Sequence, residues 1–248
     1  MRALFFVLFS CFTVPAFAQS SLGVTGAVFT LGNVEDEGGD YRRDASARVD
    51  AAITDVHGFQ ADLRFSDALG GVVGTTVAHI YMTPKTGQKY GLFAALSDVD
   101  GRSMLYGSLG AEGMFSLGES TAVELRAGMG WADVGGLDYV FAGLSVAQGL
   151  TSAVELELSL DATEIDEAGL SAVALDLGVT ARYSPQGSPW GAYAGVTRSE
   201  LAGASAPGAT RIGAGLTLEL GNAGGTDPHT RPFRTPDPLA QLLRRGLW

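Results

Sequence analysis

Over residues 19–222 the sequence predicts an all-β domain, a closed antiparallel up-and-down β-barrel that crosses a membrane with about twelve strands (roughly ten to fourteen). Apolar and polar side chains alternate with a period of two along most of this region, the repeat of an extended chain and not of a helix. Glycine and short polar clusters cut it into segments near the ~9–11 residues a tilted membrane strand needs. After the first eighteen residues no run approaches the ~18 apolar residues of a spanning helix, so a crossing has to be made by strands closed on themselves.

At the amino terminus, Met1 and Arg2 precede an apolar run from Ala3 to Val14, and Ala16, Phe17 and Ala18 have the small-residue pattern of a cleavage site. Residues 1–18 are therefore expected to be a signal peptide, cut after Ala18. The cut removes Cys11, the only cysteine, so the exported fold has to manage without a disulfide. It also removes Arg2, taking the formal net charge from -11 to -12. So acidic a chain lacks the basic footprint of a nucleic-acid binder.

Strands are expected near 22–31, 43–54, 58–66, 73–83, 88–97, 103–116, 120–132, 137–147, 152–162, 171–183, 190–199 and 209–220. The alternation is clearest from 152 to 183. There Val154, Leu156, Leu158 and Leu160 oppose Glu155, Glu157, Ser159 and Asp161; after the turn, Val173, Leu175, Leu177 and Val179 oppose Asp176, Gly178, Thr180 and Arg182. Phe59, Ala61, Leu63 and Phe65 likewise oppose Gln60, Asp62, Arg64 and Ser66. In the first, second and fourth strands small residues blur the pattern and leave the outward side of 22–31 undecided. Pro84, Pro185, Pro189 and Pro207 are read as turn residues, since a ladder cannot spare an N–H.

The longer connections, 33–40, 163–169 and 199–208, are the first, ninth and eleventh, so all fall on one mouth of the barrel, opposite both termini. With that topology Tyr90, Phe115, Tyr183 and Trp190 stand outward at one level and Phe65 and Trp131 at the other, as two aromatic girdles do. Phe93, Tyr139 and Phe141 fall inward and are expected to fill the lumen.

The stretch from Ala18 to Leu22, opening directly into a glycine-containing strand, and Arg48 through Phe65, reading as strand, short turn and strand with inward Arg and Asp, resemble the openings of Gram-negative outer-membrane β-barrels of the porin type. The resemblance implies the cell outer membrane, both termini in the periplasm, contact with outer-membrane lipid and lipopolysaccharide, and delivery by the barrel-assembly machinery. The chain departs from that pattern in being shorter than a sixteen-strand porin and in closing its last strand on Leu220 instead of an aromatic residue. Residues 223–248 follow as a Pro- and Arg-containing tail, in which Asp237 and Pro238 mark a helix start and Leu239, Leu242 and Leu243 share a face. The tail is expected to extend into the periplasm; the alternative has Arg231, Arg234, Arg244 and Arg245 entering the acidic lumen as a plug.

The inward charges are Arg48, Asp50, Asp62, Arg64, Lys89, Glu112, Glu124, Arg126, Glu155, Glu157, Asp161, Asp176, Arg182, Arg211 and Glu219. On the lipid face an Arg or Lys would cost roughly 2–4 kcal/mol at midplane. Acids outnumber bases in this set, nine to six. Charge rings of this kind set ion preference, so the expected function is a narrow, mildly cation-preferring channel for small solutes or ions. The alternatives are a closed structural barrel with an ion-paired lumen and a lipid-modifying outer-membrane enzyme. The enzyme needs a histidine beside a serine nucleophile, and His57, His79 and His229 lack one in any recognisable motif. No catalytic, cofactor-binding or metal-ligating residue is assigned: Asp98 to Gly101 begins like a calcium loop but lacks its later ligands.

Overall fold

The computed structural model describes residues 23–68, 71–101, 104–133, 136–167, 170–203, 208–222 and 224–245; the signal peptide and its cleavage site lie outside them. Twelve strands follow in order: β1 (Val24–Asp36), β2 (Tyr41–Ala52), β3 (His57–Ala68), β4 (Gly71–Lys85), β5 (Gln88–Val99), β6 (Met104–Ser116), β7 (Thr121–Ala132), β8 (Leu137–Gly149), β9 (Val154–Glu167), β10 (Leu170–Tyr183), β11 (Trp190–Ala202) and β12 (Ala209–Gly221). Each pairs antiparallel with its neighbours in sequence, and β1 pairs with β12 from Gly26↔Gly221 to Asp36↔Arg211, which closes the barrel. Closure leaves no edge of unpaired N–H and C=O groups, the condition for a sheet to stand in hydrocarbon.

Alternation decides which side of each strand meets which solvent. Ile80, Leu92, Leu109, Met129 and Leu216 point outward and are 63%, 67%, 52%, 65% and 59% exposed. With their neighbours they form an apolar belt that water would penalise and lipid accepts. The side of β1 left open by its sequence is settled: Leu31 points out and Val28 and Thr30 line the lumen. Tyr90, Trp131, Tyr183 and Trp190 are exposed on the outer face, Phe115 packs edge-on against Tyr90 at 5.4 Å, and Phe65 lies over Gly74 of the next strand.

The barrel has two unlike mouths. At the near mouth β1 begins, β12 ends and the predicted strand limits hold within two residues. At the far mouth most strands run on past them. Two of the three connections expected to be long are mostly paired strand: Glu35 pairs with Tyr41, and Glu167 with Leu170. The far mouth is therefore distinguished by charge instead of loop length. On the outer face, among the described strand residues, the charged side chains cluster there: Glu35, Arg43, Asp67, Asp98, Asp138, Glu164, Arg198 and Glu200, with Lys85 alone at the near mouth. Pro84 corrects another expectation, for it lies inside β4; the register shift between Met82 and Lys85 spares the ladder its missing N–H.

The tail does not extend away from the barrel. Residues 224–245 fold back through the near mouth and climb the lumen to a short helix, α1 (Ala240–Arg245), at the far mouth. Both termini are expected at one mouth, yet Arg245 reaches Ser199 near the far end of β11. The cause is apolar: Leu239, Leu242 and Leu243 are buried in one cluster with inward Val73, Val99, Met104, Leu137, Ile165, Ala172 and Leu201. Burying each such leucine is worth about 1.5–3 kcal/mol.

Candidate functional site

A chain crossing a lumen has no sheet partner, so its backbone groups have to be met by wall side chains or be left costly. The tail minimises the demand, because Pro232, Pro236 and Pro238 bring no N–H. The wall meets the rest. Gln60 donates to the Phe233 carbonyl at 2.9 Å and accepts from the Phe233 N–H at 2.8 Å. Lys89 donates to the Arg231 carbonyl at 3.0 Å, Arg126 to the Arg234 carbonyl at 2.8 Å, and Arg42 to the Arg244 carbonyl at 3.1 Å. Glu124 accepts from the Arg234 N–H at 3.2 Å.

Side-chain charges interlock in the same way. Arg231 meets Glu155 at 2.7 Å and Glu157 at 2.5 Å, and Arg234 meets Asp161 at 2.6 Å. Within the wall Arg182 bridges Glu155 and Glu157, and Arg126 holds Asp161. Wall and tail together thus balance four acids, Glu124, Glu155, Glu157 and Asp161, with four arginines, Arg126, Arg182, Arg231 and Arg234. Further up, Arg64 joins Asp44 of the wall to Asp237 of the tail, and Asp62 takes Arg48 and Thr235. Arg211 pairs with Asp176 and Glu219 accepts from Ser184.

All fifteen inward charges read from the sequence point into the lumen, and most converge on the tail. Phe233 is the anchor at mid-height. It is fully buried, stacked on His79 with centroids 6.0 Å apart and planes 13° from parallel, and edge-on to Tyr81. Lys89 stands 4.7 Å above the Phe233 ring. Asp62 and Glu112 flank His79, with Glu112 2.7 Å from Nδ1. On the same side as Phe233, the inward Phe93, Phe141 and Tyr139 continue from His79 as one cluster of rings. Each lies flat on a cross-strand glycine: Phe93 on Gly110, Phe141 on Gly128, Tyr139 on Gly130. A Cβ at those glycines would stand 2.4, 2.6 and 2.3 Å from the rings.

Reading the sequence missed Asp44, Gln60, His79, Asp237 and Phe233 as parts of this site. Gln60, His79 and Phe233 meet only when the tail enters the lumen, as do Arg64 and Asp237, and nothing local in the sequence marks those meetings. The tail did carry a signal, prolines spaced along 228–238 between arginines, which describes an extended segment that needs few hydrogen bonds.

The tail fills one side of the lumen and leaves the other open. A cavity of about 600 Å³ runs from Gly149 and Ser184 at the near mouth past Arg48 and Arg182, and a second of about 300 Å³ continues past Tyr193 to Arg211 and Arg244. They share Thr30, Asp44, Arg64, Arg182 and Thr217 as wall, so together they trace a cleft beside the tail.

Solved structures similar to this chain include outer-membrane channels. The NanC porin superposes with a TM-score of 0.59 at 8% identity, covering 77% of this chain and 100% of its own. The outer membrane channel COG4313 from Pseudomonas putida F1 gives 0.58 at 14%, covering 80% and 96%. The KdgM porin in complex with disordered oligogalacturonate gives 0.57 at 9%, covering 77% and 98%. This is the fold of the outer-membrane porins. The porin-like barrel is shared at the level of backbone only: no family model matches the sequence, and no curated protein matches it.

Proposed function

We propose that the protein is an outer-membrane channel that conducts small solutes through the cleft beside its own luminal tail, with a preference for anions. The cleft lining carries the argument. Among the described residues it holds seven arginines, Arg48, Arg64, Arg182, Arg211, Arg231, Arg234 and Arg244, against four acids, Asp44, Glu155, Glu157 and Glu219. The nine-to-six acid excess that predicts cation preference counts the bare wall. Along the open path the wall alone is even, four arginines to four acids, and the tail tips the balance by adding Arg231, Arg234 and Arg244 and by engaging Glu155 and Glu157. The oligogalacturonate bound by the KdgM porin is a polyanion, which is in keeping with this lining.

The far mouth is read as external, with its charged collar at the level of lipopolysaccharide and the near mouth facing the periplasm, after delivery by the barrel-assembly machinery. A non-enzymatic role is supported by His79, whose ring is fully buried beneath Phe233 and held by Asp62 and Glu112. The test is conductance of the folded, full-length protein in planar bilayers under a salt gradient. Small discrete steps with a reversal potential on the anion side are expected. A reversal potential on the cation side removes the preference, and the absence of any step from folded protein leaves the ion-paired structural barrel as the reading.

A further inference from the structure

The tail enters the barrel at one mouth and reaches the other. Asn222 follows β12 at the near mouth, where it lines a small cavity with His229, Thr230 and the turn residues Thr54 to His57. Phe233 sits at mid-height on Gln60 and His79, Asp237 lies higher on Arg64, and Leu239, Leu242 and Leu243 pack against the wall at the far mouth. Arg244 and Arg245 are then held by Arg42 and Ser199, both at far-mouth strand ends.

We propose that the segment from His229 to Arg245 is threaded through the barrel, so that one short stretch of chain faces the periplasm at His229 and the exterior at Arg244 and Arg245, beside the loops that join the strands there. This rests on the reading that the far mouth is external, which follows from the collar of outward charges and not from the tail.

Accessibility to a membrane-impermeant maleimide tests the two points separately. In a Cys11→Ser background, single cysteines are placed in the full-length chain at Asp100→Cys in a far-mouth turn, at Asp55→Cys in a near-mouth turn, at His229→Cys and at Arg245→Cys. Asp100, Asp55 and His229 are exposed and Arg245 is half-buried. On intact cells the reagent is expected to label Asp100→Cys and Arg245→Cys, and to reach Asp55→Cys and His229→Cys only after the outer membrane is permeabilised. An Arg245→Cys protein that stays unlabelled on intact cells while Asp100→Cys is modified overturns the threading. Labelling of Asp55→Cys in place of Asp100→Cys overturns the assigned orientation instead, and with it the exposure of Arg245 to the exterior.

Discussion

Gln60 binds Phe233 as one strand binds another, its side-chain amide taking both the N–H and the C=O of a residue 173 positions away. Both bonds are buried, so neither backbone group has water to fall back on. Gln60→Ala strands the two groups at a cost of about 1–3 kcal/mol each if the tail stays. Release is the cheaper outcome. Trypsin is expected to cleave after Arg234, in the Arg234–Thr235 bond, at least ~10-fold faster than in the parent, because cleavage follows the open population and about 1.4 kcal/mol is a factor of ten. An unchanged cleavage rate would mean that Gln60 does not hold the tail.

The four-against-four balance around Arg231 and Arg234 makes a sharper prediction. Changing both to Glu puts six acids against Arg126 and Arg182, and breaking buried pairs by removing one partner typically costs 3–5 kcal/mol per pair. Arg231→Glu with Arg234→Glu is expected to expel the tail, raising single-channel conductance several-fold and shifting ion preference towards cations as the bare wall is uncovered. Adding Glu155→Arg and Glu157→Arg is expected to restore the small conductance. Bilayer recordings of the three proteins decide it, and equal conductance in all three would show that the tail does not limit flow.

How far the sequence could be read depended on which solvent each strand face meets. Through the belt, Leu109, Met129 and Leu177 face lipid while Glu112, Arg126 and Asp176 face the lumen, so the period-two contrast is strong and all twelve strands are legible. At the far mouth the polarity inverts: Glu35, Asp138 and Glu164 stand outside, and Val99, Leu137 and Ile165 stand inside. Two apolar rims facing lipid and water in opposite senses read as fading alternation, and the strand ends were mistaken for loops. The inversion is itself informative. Inward Val73, Leu137, Ile165 and Leu201 require an apolar partner in the lumen, and Leu239, Leu242 and Leu243 at the end of the tail are that partner. Neither half alone points to the other, so the sequence by itself does not decide for the plug.

The flat aromatic rings of the lumen depend on glycines that alternation alone treats as neutral. At Gly130 a Cβ would meet the Tyr139 ring at 2.3 Å and the Gly107 carbonyl at 2.4 Å, and backbone cannot yield as a flexible side chain can. Gly130→Val is expected to block closure between β7 and β8, seen as loss of the heat-modifiable band on unheated gels. Gly213→Ala is the control, since its nearest contact is 3.4 Å and its φ is ordinary. Normal migration of the Gly130 variant would mean that the ring can leave its glycine without cost.

The position of the membrane is the last point that a substitution can check, because it is inferred from where outward charge stops. Leu109 lies halfway along β6 on the outer face, beside Ala94 and Met129 on the neighbouring strands, within the uncharged belt. An arginine there meets hydrocarbon with no luminal acid in reach, and Leu109→Arg is expected to cost roughly 2–4 kcal/mol. Asp138 stands on the same outer face at the far mouth, beside Trp131. If the belt ends at that tryptophan, Asp138→Arg remains in the polar interface and costs roughly 0–1 kcal/mol. Reversible folding of both variants into phospholipid vesicles, followed by tryptophan fluorescence against denaturant, gives the two values directly. Similar costs at the two positions would move the membrane plane away from the belt and leave the charged collar without its explanation.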